Sequence, residues 1–184
     1  VEDQPLLRAD VEAPGAPGAG DTVRVRQTLY EAYQDVNEGN PEEAIPKFEW
    51  VIERDPTQLR AWESLGWAYW NVGRRDDTLE LWKRLELLAP ESPLVQNLLS
   101  KVYVARNELE RATDYMDRSL EIKPDQYDTR YARARVQVWR GRSHEAVKSF
   151  RDLLAMDPDR LDVRLSLTRA LMADREYGEA VRHW

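Results

Sequence analysis

The 184-residue chain has no cysteine. Disulfide bonds, thiolate chemistry and cysteine-ligated zinc are therefore excluded together. Histidine is nearly absent as well, with only His144 and His183. A catalytic or metal centre needs several converging groups, and no phosphate-binding loop, nucleophile elbow or zinc spacing accompanies them. No catalytic residue, metal ligand or cofactor is expected, and the chain is not read as an enzyme. Apolar runs are only a few residues long, too short to insert in a bilayer. Basic charge is in deficit, 27 Lys and Arg against 34 Asp and Glu, for a net charge of −7 and a pI near 5.0. That balance argues against a nucleic-acid partner, whose grip rests on neutralising phosphates.

Hydrophobic residues make up 42% of the chain and charged residues 33%, a water-soluble composition with enough apolar material for a core. Arginine greatly outnumbers lysine, as in proteins from GC-rich bacterial genomes. With the missing cysteine, this slightly favours the bacterial periplasm or envelope over the cytoplasm. The chain begins at Val1 without an initiator methionine, and the natural protein is expected to continue past Trp184.

Residues 1–24 are rich in Pro, Ala, Gly and acid, the composition of a linker. A tether is the expected role, with docking of Pro5, Leu6 and Leu7 on a helical surface as the alternative. Asp21 or Thr22 is placed to cap the first helix.

The remainder repeats. Pro56, Pro90, Pro124 and Pro158 each stand 34 residues after the last. The same step relates Ala44, Thr78, Ala112, Ala146 and Ala180, and four residues beyond each stands a large apolar side chain: Phe48, Trp82, Met116, Phe150 and Trp184. Gly39, Gly73 and Gly141 share one further position, with Asn107 in the third copy. Gly and Asn best tolerate a left-handed backbone, so the helix ends and the chain turns there. Leu65, Ala68, Tyr69 and Val72 fall at helical spacing before one such turn. Asn40 followed by Pro41 reads as the start of the next helix. A small residue at the alanine position lets two helices approach, and the large one fills the gap to the following copy. No such hairpin buries its surface alone.

The segment Trp62-Glu63-Ser64-Leu65-Gly66-Trp67-Ala68-Tyr69 resembles the W-x2-L-G-x2-Y pattern of the tetratricopeptide repeat, and Pro90 closes that copy. The resemblance covers residues 25–184 as copies 25–58, 59–92, 93–126, 127–160 and a truncated 161–184. It implies an all-α, right-handed superhelical solenoid of antiparallel helix–turn–helix units. Several positions depart from the pattern. Thr28 and Glu31 stand where the family prefers Trp and Leu, Pro46 should bend the second helix of copy one, and Arg133 and Gln137 fill usually apolar places.

In this family the first helix of each copy lines the concave side, where ligands lie against its second, fifth, ninth, twelfth and thirteenth residues. The resemblance thus nominates Tyr33, Asn37, Trp67, Trp70, Asn71, Lys101, Tyr131, Arg135, Trp139 and Arg169 as partner-binding. Aromatics come first along that series and cations later. Arg clamps carboxylates, Trp and Tyr anchor apolar segments, and Asn bonds a peptide backbone. The expected partner is a protein or extended peptide bearing acidic groups. In the competing reading, Trp67 and Trp70 pack between repeats while the cations pair with acids such as Asp128 and Asp162. Leu29 and Tyr33 occupy the places where chaperone-binding members carry Lys and Asn, so that speciality is not expected. Two other functions fit the same sequence. One is a segment of an envelope or exopolysaccharide export protein touching glycan; the other is self-assembly through the uncapped C-terminal end.

Overall fold

The computed structural model describes residues 19–183. The proposed docking of Pro5, Leu6 and Leu7, and the side chains of His183 and Trp184, lie outside the described residues. Among those described, ten α-helices follow one another with no strand: α1 (Ala19–Asn37), α2 (Pro41–Arg54), α3 (Leu59–Asn71), α4 (Arg75–Leu88), α5 (Pro93–Ala105), α6 (Leu109–Ile122), α7 (Tyr127–Trp139), α8 (Ser143–Met156), α9 (Leu161–Ala173) and α10 (Tyr177–Ala180), which runs into a 3₁₀ turn at Val181–His183. The antiparallel helix–turn–helix repeat expected from the 34-residue step is present. Asp21 and Thr22 do not cap α1: both lie within the helix.

One turn recurs five times. Gly39, Gly73, Asn107, Gly141 and Arg175 all have positive φ, between 59° and 85°. In each case the next residue's N–H reaches back five positions, as from Asn40 to the Asp35 carbonyl (2.8 Å) and from Arg142 to the Gln137 carbonyl (2.8 Å). The left-handed residue itself bonds the carbonyl three before it, as from Gly141 to Val138 (3.0 Å). This is the Schellman motif, which satisfies carbonyls that the end of a helix leaves open. The fifth instance was not legible in the sequence, because Arg175 is no left-handed former.

A second recurrent bond fixes the start of α3, α5, α7 and α9. Trp62 Nε1 donates to the Pro56 carbonyl (3.0 Å). Gln96 Nε2, Arg130 Nε and Arg164 Nη2 repeat the bond to Pro90, Pro124 and Pro158, each at 2.8 Å. What this place selects is an N–H donor long enough to reach the proline carbonyl, and an indole, an amide and a guanidinium all qualify.

Two compact units divide the chain within α4, one ending at Leu81 and the other starting at Trp82. In the first, Ala44, Phe48, Val51, Ala61 and Leu65 are fully buried. Thr78 stands where the other copies have alanine, and its hydroxyl is absorbed by bonds to the Gly66 carbonyl (3.1 Å) and the Arg74 carbonyl (3.2 Å). Helix α2 runs unbroken through Pro46, which lies exposed. Asn40 occupies the N-cap position of α2 but makes no side-chain cap bond. The Lys47 ammonium lies 2.6 Å from Asp35. The Tyr69 hydroxyl donates to the Glu49 carboxylate, tying α3 to α2. Burial first, then the hydrogen bond to Glu49 and the charge of that carboxylate, push the Tyr69 phenol up to about 12.

In the second unit, Ala134, Ala146, Val147, Phe150, Leu153, Val163, Leu167 and Leu171 form one core across α7, α8 and α9. Full burial of each large apolar side chain contributes about 1.5–3 kcal/mol. Two polar intruders meet polar groups of neighbouring helices, while among the described residues Gln96 Oε1 is buried without a hydrogen bond and Arg133 Nε has an ion pair in place of one. Gln137 accepts from Ser149 Oγ (3.0 Å), and Arg133 Nε lies 2.5 Å from Asp117.

Two predictions follow from these turns and ties. Left-handed backbone costs a side-chain-bearing residue about 1–2 kcal/mol, partly offset by the entropy glycine loses on folding. Arg175→Gly should therefore stabilise the chain by about 0.5–1 kcal/mol. Gly141→Ala should cost about 1 kcal/mol through backbone strain alone, since an added Cβ meets nothing within 4 Å. Denaturant titration decides it, and a destabilised Arg175→Gly would overturn this reading of the turn. Tyr69, raised in the folded state, binds its proton more tightly folded than unfolded. Its contribution is whole below the unfolded value near 10 and is lost as pH rises through about 12. Stability measured across that window should fall less steeply in Tyr69→Phe than in the wild type; identical slopes would refute the Tyr69 assignment.

Candidate partner-binding face

Tyr33, Asn37, Trp67, Trp70 and Asn71 belong to the first unit. Tyr33 is half-buried and meets Phe48 edge-on at 5.3 Å, so its ring is largely a packing element. Trp67 and Trp70 are half-buried and edge-to-face at 6.3 Å, and the Arg75 guanidinium lies 4.9 Å from the Trp70 ring. Asn37 and Asn71 are exposed at the last residues of α1 and α3. This unit thus offers a strip of partly covered aromatics flanked by amides.

Lys101, Tyr131, Arg135, Trp139 and Arg169 belong to the second unit. Helices α5 and α7 enclose an open groove of about 540 Å³. Leu94, Leu98, Val104 and Val136 supply its apolar walls, and Lys101, Arg135 and Trp139 also line it. Trp139 is 52% exposed, although it is the last residue of α7 and among the largest side chains of the unit. The Arg135 guanidinium lies 5.0 Å from the Trp139 ring and 5.8 Å from that of Tyr131. Tyr131 is half-buried and turns away from a free role: its hydroxyl lies 2.9 Å from Ser166 Oγ on α9, and its ring packs on Phe150 at 6.0 Å. That contact sets α7 beside α9, whose exposed face carries Leu165, Arg169 and Met172.

The groove also contains residues that the repeat pattern did not nominate. Asn97 Nδ2 donates to Gln126 Oε1 (2.8 Å), and the Thr129 hydroxyl donates to Asn97 Oδ1 (3.1 Å). Gln126 Nε2 in turn reaches the Ser119 and Lys123 carbonyls, both at 2.8 Å. Asn97 is therefore committed inside the protein, whereas Lys101, Arg135 and Trp139 line the groove. Gln126 escapes sequence reasoning because it lies in the inter-repeat loop, and its role exists only once α5 and α7 are adjacent.

The acids proposed to neutralise the cations do not pair with Arg135 or Arg169. Asp162 is held by Arg160 Nη2 at 2.8 Å, which keeps its carboxyl below the usual range. Arg135 makes only its two ring contacts, and neither it nor Arg169 has a carboxylate partner among the described residues. His144 lies elsewhere, with Nδ1 3.1 Å from Asp174 and Glu176 close by. Their ligand atoms fall within 4.8 Å of one another. Arg151, at 3.5 Å from Glu176, already supplies that exposed cluster with a cation.

Comparison with known proteins agrees with this geometry. The tetratricopeptide repeat family matches residues 31–74, 64–127 and 131–184, and the chain belongs to that family. Among curated proteins, anaphase-promoting complex subunit 3 of Schizosaccharomyces pombe is 22% identical over 143 residues. The match takes in 78% of this chain but only 22% of that relative. Among solved structures, a MamA protein superposes with a TM-score of 0.76 at 20% identity, covering 89% of this chain and 88% of its own. A tetratricopeptide repeat protein from Parabacteroides merdae gives a TM-score of 0.76 at 15% identity, covering 86% and 63%. At such identities the likeness establishes the shared fold.

If Trp139 is presented rather than packed, its removal should scarcely affect folding. Trp139→Ala should cost less than about 1 kcal/mol, whereas Phe150→Ala, buried in the core, should cost about 3–5 kcal/mol. Thermal and denaturant unfolding of the two variants tests this, and a Trp139 loss approaching that of Phe150 would make the indole structural.

Proposed function

We propose that the chain is a non-catalytic scaffold that binds a protein partner, and that the partner lies in the groove between α5 and α7. The observation that carries this reading is a half-exposed indole, Trp139, on an open, largely apolar groove of about 540 Å³. Leaving such a ring in water forgoes hydrophobic stabilisation, and ligand sites are the places where concave apolar surface meets a few fixed polar groups. Family membership supports the same class of function, since tetratricopeptide repeats serve as protein-interaction surfaces. The curated relative is by name a subunit of a complex.

Replacing Trp139 with a photo-cross-linking amino acid tests the placement in lysate of the source organism. The control carries the same group at Glu121, exposed on α6. A discrete protein adduct at position 139 and none at 121 is expected. Equal labelling at both positions, labelling at 121 alone, or no adduct at either would overturn the groove as the docking site.

A further inference from the structure

The groove carries information about its ligand's charge and polarity. In the second unit most arginines already hold an acid: Arg133 with Asp117, Arg140 with Glu110, Arg151 with Glu179. Arg135 and Arg169 have no carboxylate partner among the described residues although acids outnumber bases in the chain, 34 to 27, and both lie exposed on the first-helix face. They are the ninth residues of α7 and α9, which the Tyr131–Ser166 contact holds side by side. Packed helices lie about 8–10 Å apart, so the two guanidiniums suit successive carboxylates along a segment crossing both helices. Lys101 continues the same row on α5.

Apolar surface is interleaved with this row. Trp139, Leu165 and Met172 are 52%, 53% and 53% exposed, and the groove beside Arg135 is walled by Val104 and Val136. The opposite end of the groove differs in sign. Asp128 sits at the N-terminal end of α7, about 10 Å along the helix from Arg135 at 1.5 Å per residue. An acidic group is repelled there and attracted at Arg135.

We infer that the partner presents an acidic segment with at least two carboxylates and one large apolar residue. The carboxylates pair with Arg135 and Arg169, and the apolar side chain packs between Val104 and Trp139. Arg binds carboxylate through a planar fork while its other face stays on a ring, so the Arg135–Trp139 stack is compatible with pairing. Asn97 takes no part, being spent on Gln126 and Thr129. This rests on the partner lying in the groove, and it adds the chemistry that fills it.

A displayed random decapeptide library, selected on the wild-type chain at low salt, tests the inference. Selected peptides should be enriched in Asp and Glu together with Leu, Phe or Trp. A synthetic copy of one of them should bind about tenfold or more weaker to Arg135→Glu/Arg169→Glu, about 1.4 kcal/mol, and weaker as salt rises. It should bind unchanged to a Lys123→Glu/Lys148→Glu control of equal charge. Selection of basic or uncharged peptides, no enrichment, or equal loss in both variants would overturn it. A cross-link at position 139 to a protein with no acidic segment would sink this inference alone and leave groove binding standing. Absence of that cross-link would remove both.

Discussion

Each first helix must stop at a fixed place, after 13 residues in α3, α5, α7 and α9, and send the chain back along itself, and a single residue with positive φ does it each time. The constraint is steric. Only a left-handed residue lets two successive N–H groups bond carbonyls of the last helical turn and still aim the chain into the next helix. Because the turn has fixed geometry, the two helices of a hairpin meet at fixed positions. The alanine position is then forced to be small and is buried in all five copies. Residues four places further on are forced to be large, and Phe48, Trp82, Met116 and Phe150 are all at or below 2% exposure. Packing in this fold is thus downstream of one backbone torsion. Where glycine is replaced, the torsion is kept and the residue is strained, as at Asn107 and Arg175.

The 34-residue period was legible because proline, alanine and glycine each mark a backbone or steric requirement that few other residues meet. Requirements that many residues meet were hidden. Trp62, Gln96, Arg130 and Arg164 look unrelated in the sequence, yet each donates to the proline carbonyl six residues back. A pattern written in residue names sees a Trp lost from three copies; written in donors, nothing is lost. Thr28 of the first copy has no proline six residues before it, so a Trp there would have no such carbonyl to bond. The apolar-position departures resolve similarly, because Arg133 and Gln137 find polar partners in neighbouring helices.

The candidate site was legible only as a set of addresses. Helical register places the ninth residues of α5, α7 and α9 on one face, and sequence alone yields that much. It cannot show that Tyr131 spends its hydroxyl on Ser166, that Asn97 is closed off by Gln126, or that Asp162 belongs to Arg160. The first two are tertiary contacts between residues 35 and 29 positions apart, the third a local one between neighbours on the chain, and all three tie up groups that the repeat pattern leaves open. Three of the five nominated groups in the second unit come out exposed and without a carboxylate partner or packing role, Arg135, Trp139 and Arg169, and the first two touch each other.

That contact explains how an exposed indole persists in a stable fold. The Phe150 core and the turn geometry hold α7 in place without help from Trp139. The ring is therefore free of any packing duty, and the stabilisation it forgoes by facing water is reduced where Arg135 covers part of one face. A guanidinium on a ring is already partly desolvated and oriented before a ligand arrives, which lowers the ordering cost of an ion pair formed there. On the proposed function, stability and recognition fall to different residues of the same helix. The buried side, Ala134 and Val136, packs into the core, and the exposed side, Arg135 and Trp139, is the one the proposal gives to a partner.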